Sequence, residues 1–297
     1  MGSEPLELAI EPGTPPRTIA RDIERAGVRV DARLLFAWFR LSGKVREIRA
    51  GNYEIPPGTT PIALLDKLVR GEESLRSLTL VEGWTFRQMR AALAREELRH
   101  DTASLSDAEI MQQLGRPGVP AEGRFFPDTY AYAKGSSDLA VLRRALHAMD
   151  RHLEAAWAQR SADTPLKSAD EALVLASIVE KETGQAADRP QIAGVFANRL
   201  RTGMLLQTDP TVIYGLGEKF DGNLRKRDLQ TDTPWNTYTR TGLPPTPIAM
   251  PGKASLMAAV QPQATRALYF VARGDGSSHF SATLEEHNRA VQRYQLQ

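Results

Sequence analysis

Two acidic residues, Glu180 and Glu182, close an otherwise apolar run, Leu173-Val-Leu-Ala-Ser-Ile-Val-Glu-Lys-Glu-Thr183. A helix that is apolar around most of its circumference belongs inside a domain, so an acid on it must be paired, neutralised or used. At about 100° per residue, Glu180 projects between Leu173 and Ala176, and Glu182 between Leu175 and Ile178; Ser177 and Lys181 hold the remaining polar arc. A carboxyl desolvated by such neighbours is disfavoured as the anion and is held ready to give a proton to a leaving group. The plainer alternative is structural, with one Glu buried against an arginine and the other frayed into solvent.

Other segments carry groups suited to a neutral, hydroxyl- and amide-bearing ligand such as a sugar chain. Gln207-Thr208-Asp209-Pro-Thr211, Tyr214 and Asn236-Thr-Tyr238 supply amides, hydroxyls and flat aromatic faces. The same residues also suit helix caps and turns, and that alternative stays open. Glu122-Gly-Arg-Phe-Phe-Pro-Asp-Thr-Tyr130 sets Glu122, Arg124 and Asp128 beside aromatics that read first as core packing. The five histidines form no ligand pair at helical spacing, and no nucleophile elbow, phosphate loop or dinucleotide fingerprint occurs, so no metal and no cofactor are expected. There is no cysteine, which removes thiolate chemistry and disulfides and leaves carboxylate chemistry.

These residues need a frame. In the first ninety-odd residues a short alternating strand, an acidic residue, a Gly turn and an amphipathic helix recur three times. The copies are Leu6–Thr14 into 17–26, Tyr53–Thr59 into 61–70, and Leu78–Gly83 into 86–96. Their glycines lie 45 and then 25 residues apart, so the units are no regular solenoid. Asp31 is expected to cap a helix through Leu41. Residues 104–162 read as helices separated by a loop over 115–129. Ser168 with Glu171 reads as a capping box opening the apolar helix, and Asp188 with Pro190 opens another that ends at Gly203. From Gln207 to Gly252 there is little periodicity, which points to a long structured loop of functional character. A strand–turn–strand over 268–281 and a last helix, 284–294, close the chain.

The chain has 297 residues, 41% hydrophobic and 25% charged, with a net charge of +2. That length allows two cores. The charge leaves no footprint for a phosphate backbone, so nucleic acid is not an expected partner. No apolar run is long enough to span a bilayer, and Met1-Gly2-Ser3 reads as an expression remnant. The expected fold class is α+β: a small LysM-like N-terminal subdomain over 5–76 and a larger mixed α/β catalytic domain over 77–297.

Several motifs closely resemble those of the YceG-like (MltG) family of endolytic murein transglycosylases: Ala176–Thr183, Val195–Leu200, Gly203–Gly215, Asn236–Tyr238 with Gly242–Pro245, Leu268–Val271 through Phe280, and Glu122–Tyr130. They run in order along nearly the whole chain. The resemblance implies cleavage of the MurNAc–GlcNAc β-1,4 bond within peptidoglycan glycan strands, with Glu180 as the catalytic acid, then base, giving 1,6-anhydro ends. By their chemistry and their adjacency to these motifs, Glu122, Glu182, Gln207, Thr208, Asp209, Tyr214, Asn236 and Tyr238 are the expected supporting residues. It further implies partnership with peptidoglycan synthases (penicillin-binding proteins) and a single membrane-spanning helix ahead of this segment, anchoring it in the inner membrane with the soluble part in the periplasm. Two rivals remain: a muramidase that adds a second carboxylate, and a peptidoglycan-binding protein without catalysis. A third, a lyase using pyridoxal phosphate, lacks the Gly-rich phosphate cradle that such a cofactor requires.

Overall fold

A computed structural model describes residues 6–295; the reading of Met1-Gly2-Ser3 falls outside the described residues. In chain order the elements are β1 (Leu6–Ile10), α1 (Pro16–Arg25), α2 (Ala32–Leu41), β2 (Gly51–Ile55), α3 (Pro61–Arg70), β3 (Leu75–Thr79), α4 (Phe86–Leu93), α5 (Asp107–Gln113) and β4 (Thr129–Ala133). They continue with α6 (Asp138–Ala158), α7 (Ala169–Glu182), α8 (Arg189–Thr202), α9 (Asp209–Leu216), α10 (Lys226–Gln230), α11 (Lys253–Val260), β5 (Tyr269–Ala272), β6 (Ser278–Ser281) and α12 (Leu284–Gln295). Helices with small two-stranded sheets make the chain α+β, as its composition of elements predicts. No described helix is long and apolar enough to cross a membrane.

Two compact units divide the chain: one comprises Met1–Leu78, Glu97–Arg99 and Ala131–Ser137, the other Thr79–Glu96, His100–Tyr130 and Asp138–Gln297. In the first, β1 pairs antiparallel with β2, Leu8 facing Tyr53 and Leu6 facing Ile55. The alternate residues Leu8, Ile10, Tyr53 and Ile55 point inward onto Ile19 and Ile23 of α1, Phe39 of α2 and Leu64, Leu65 and Leu68 of α3. The helix ends follow their sequence. Asp31 Oδ1 accepts the Arg33 and Leu34 amides at 2.7 and 3.1 Å, and Thr60 caps α3, which stops at Gly71 in the left-handed region.

In the second unit α7 is the central element, packed by α11, α8, α6 and α9. Its residues Ala172–Val179 are all buried, which is what an all-round apolar helix requires. Ser177 is the polar one among them, and its hydroxyl is satisfied by donating to Val174 O at 2.7 Å and accepting Ile248 N–H at 3.0 Å. Gly194 lets α8 approach the 263–265 segment: a β-carbon there would meet Gln263 O at 2.5 Å.

Three sequence expectations need correction. Tyr130 and Tyr132 lie in β4, a strand paired with β3, where helix and loop were expected. The Gln207–Gly252 stretch is not continuous loop; it contains α9, opened by Pro210 in its first turn, and α10. The capping box at Ser168 is half formed: Ser168 Oγ accepts Glu171 N–H at 3.2 Å, but Glu171 Oε2 accepts from Lys167 N at 2.6 Å.

Candidate active site

The last turn of α7 delivers its two acids into different surroundings. Glu180 is predicted to face apolar neighbours; its carboxylate instead sits in a polar cage. Oε2 accepts the Ser255 hydroxyl at 2.7 Å and the Gly252 amide at 3.0 Å, both from the first turn of α11, and Oε1 pairs with Arg189 Nη2 at 3.2 Å. The side chains of Glu180 and Arg189 are 6% and 13% exposed. The helix pattern put Glu180 in the last turn of this helix, where it stands, but could not foresee partners supplied 9, 72 and 75 residues away. Arg189 Nε has no hydrogen-bond partner among the described residues.

Glu182 turns the other way. It accepts a short hydrogen bond from the Thr208 hydroxyl. Burial, then the charge of Asp209, raises its carboxyl to about 7 against the bonds and the Arg199 charge that lower it. Around it Gln207, Thr208, Asp209 and Tyr238 form one cluster. Gln207 and Thr208 donate their amides to Thr237 O and Thr237 Oγ1 at 3.1 Å each, and the Tyr238 hydroxyl donates to Asp209 Oδ1 at 2.5 Å. Gln207 has φ +48°, a left-handed conformation that a non-glycine residue adopts only under constraint. Arg199 fastens this cluster to the C-terminal hairpin, donating to Leu206 O and Leu268 O at 2.7 Å each.

Asn236, expected at a ligand, is fully buried and already committed. Its Nδ2 donates to Leu229 O and Thr231 O at 3.0 and 2.7 Å, and its Oδ1 accepts Tyr238 N–H at 2.8 Å. It therefore builds the loop that presents Tyr238.

Glu122 lines a third location, a cavity of about 1020 Å³ with Phe86, Tyr214, Phe220 and Trp235 in its wall. Neither Glu180 nor Glu182 is among the lining residues. Glu122 Oε1 accepts Phe86 N–H at 3.0 Å, and the carboxyl bonds to the Tyr214 hydroxyl. Burial dominates and raises it to about 7. Tyr214 and Trp235 meet edge to face, centroids 5.5 Å apart, and Trp235 Nε1 donates to Thr246 Oγ1 at 2.9 Å. Sequence reasoning named Glu122 and Tyr214 but missed Trp235, and missed Arg189, Ser255 and Glu82 around Glu180. Among the described residues no group of His, Asp and Glu has the geometry to hold a metal.

The chain belongs to the YceG-like family, whose profile it matches over residues 8–293. It is 35% identical to the endolytic murein transglycosylase of Bacillus subtilis strain 168 over 83% of this chain and 73% of that protein. It is 27% identical to the endolytic murein transglycosylase of Streptococcus pneumoniae D39 over 96% of this chain, and spans 58% of that relative's length. The crystal structure of a yceG-like protein from Listeria monocytogenes superposes with a TM-score of 0.61 at 29% identity, covering 97% of this chain and 99% of that one.

Proposed function

We propose that this chain is an endolytic murein transglycosylase that cuts the MurNAc–GlcNAc β-1,4 bond within glycan strands. The observation that carries the reading is the carboxylate of Glu180, in the motif shared with the family, held on rigid elements by donors from α8 and α11. A carboxyl fixed this way is positioned for proton transfer without reorganising at the moment of reaction. Glu180, protonated, gives its proton to the glycosidic oxygen as the bond to C1 breaks. The carboxylate left behind takes the proton of the MurNAc C6 hydroxyl, whose oxygen bonds to C1 and closes a 1,6-anhydro ring. The proton from the C6 hydroxyl restores the acid at the end of each cycle, and no water is consumed.

Tyr214, Trp235 and Phe220 offer apolar faces to sugar rings, and the Glu122 carboxyl, raised to about 7, offers a hydrogen-bonding group to a ring substituent. Asp209 and Tyr238 face strand hydroxyls, with Gln207, Thr208, Glu182 and Asn236 supporting them. The unit containing β1 and β2 serves as a LysM-like glycan-binding module. The protein works at the outer face of the inner membrane, anchored by a preceding helix and alongside penicillin-binding synthases.

A second reading places the acid at Glu122, because it is the buried one of the carboxyls that line the large cavity, beside the exposed Asp107 and Glu218, and burial raises it to about 7. Strand cleavage by Glu180→Gln and Glu122→Gln decides between them. The first loses at least about 100-fold in rate while keeping its fold, the usual weight of a general acid; the second keeps most of its rate and binds strands more weakly. The reverse pattern moves the acid to Glu122.

A further inference from the structure

A second carboxyl lies near Glu180, on the turn that follows β3. Gly83 N donates to Met250 O at 2.9 Å and Met250 N to Trp84 O at 2.8 Å, stitching that turn to the segment before α11. Glu82 then lies against the α-carbon of Gly252, so closely that a β-carbon there would stand 1.8 Å from Glu82 Oε1. The same Gly252 gives its amide to Glu180. One glycine thus bears a carboxylate on each of two sides, and only its missing side chain admits Glu82.

Charge around this point is unbalanced. The charges of Glu180 and Arg189 both act on Glu82, while Arg189 pairs with Glu180; Lys181, also beside the turn, donates to Gly83 O at 3.3 Å. The α11 end adds the Gly252 amide and the Ser255 hydroxyl, with the Lys253 ammonium exposed in the same turn. Two acids therefore compete for one guanidinium, which pairs with Glu180 and keeps an unused buried Nε–H. Two carboxylates set on either side of one glycine favour holding a proton between them. Glu82 is the exposed member, Glu180 the enclosed one.

Resting on the assignment of Glu180 as the acid, we propose that Glu82 is a positioning residue that shares one proton with Glu180, Arg189 pairing with whichever carboxylate is ionised. The exchange is balanced: the proton leaves a Glu82 oxygen for a Glu180 oxygen, and Arg189 turns from Glu180 to Glu82. Glu180 thereby becomes an acid in a cage otherwise made of donors. When it has spent its proton on the leaving group, Arg189 steadies the carboxylate until the C6 hydroxyl restores it. Burial first, and the Glu180 charge second, raise the Glu82 carboxyl above its ordinary range, in keeping with a proton held there.

The test is the pH profile of strand cleavage by the full chain and its Glu82→Gln, Gly252→Ala and Glu180→Gln variants. In Glu82→Gln the competing anion is gone and Arg189 stays on Glu180. Expected are a kcat lowered about 10-fold or more, an unchanged KM, and an alkaline limb displaced to lower pH by about one unit. Gly252→Ala displaces the Glu82 carboxyl without changing any charge and shifts the limb the same way, which reads the effect even if Glu82→Gln folds poorly. A wild-type profile in both variants, or a loss of kcat with the limb unmoved, overturns the shared proton. Full activity in Glu180→Gln instead overturns the assignment on which it rests.

Discussion

Glu122 and Glu182 hold carboxyls raised to about 7 from 4.5, chiefly by burial. Between those values the folded chain keeps protons that the unfolded chain has released, so their contribution favours folding fully below about 4.5 and is lost as pH rises through about 7. Urea unfolding of Glu122→Gln at about pH 5 and about pH 8 should show the variant gaining on the parent chain at the higher pH. An equal difference at both values means that Glu122 is ionised throughout. Glu180 was legible at this scale because helical periodicity is a local property. Its cage was not, because Arg189, the Gly252–Ser255 turn and Glu82 come from three separate places in the chain. Asn236 shows the reverse limit: an amide type that suits sugar also suits a turn, and burial decided for the turn.

Elements tolerate change according to what they touch. Leu175→Ala removes a fully buried side chain from the centre of α7 and should cost about 2–5 kcal/mol, whereas Leu34→Ala on α2, 72% exposed, should stay within about 0.5 kcal/mol. Gly194→Ala forces a methyl against the Gln263 carbonyl and should destabilise by about 1–3 kcal/mol. Thermal or urea unfolding ranks the three, and an unaffected Gly194→Ala would mean that α8 and the 263–265 segment can part freely. Helices with caps and stripes, such as α2, α3, α7 and α8, were readable from sequence for these same reasons. β4 was not, because its partner β3 lies some fifty residues earlier, and α9 was masked by the polar, Pro- and Gly-rich composition around it.

At the scale of the molecule, the length allowed two cores, and among the described residues each unit has a buried cluster built from its own elements. The sequence could name the segments of the second unit that carry chemistry but not sort them into three locations: Glu180 with Arg189, Glu182 with Thr208, and Glu122 in the cavity. A hydrolase needs a second carboxylate to activate water or form a covalent intermediate, whereas an intramolecular attack by the C6 hydroxyl needs one group to give and take a proton. The products discriminate. Mass spectrometry of purified glycan strands digested by the chain should find internal cuts whose new ends are 1,6-anhydroMurNAc, lighter by one water than reducing ends, and absent from the Glu180→Gln digest. Reducing ends, or anhydro ends undiminished in that variant, would contradict a single-carboxylate mechanism at Glu180.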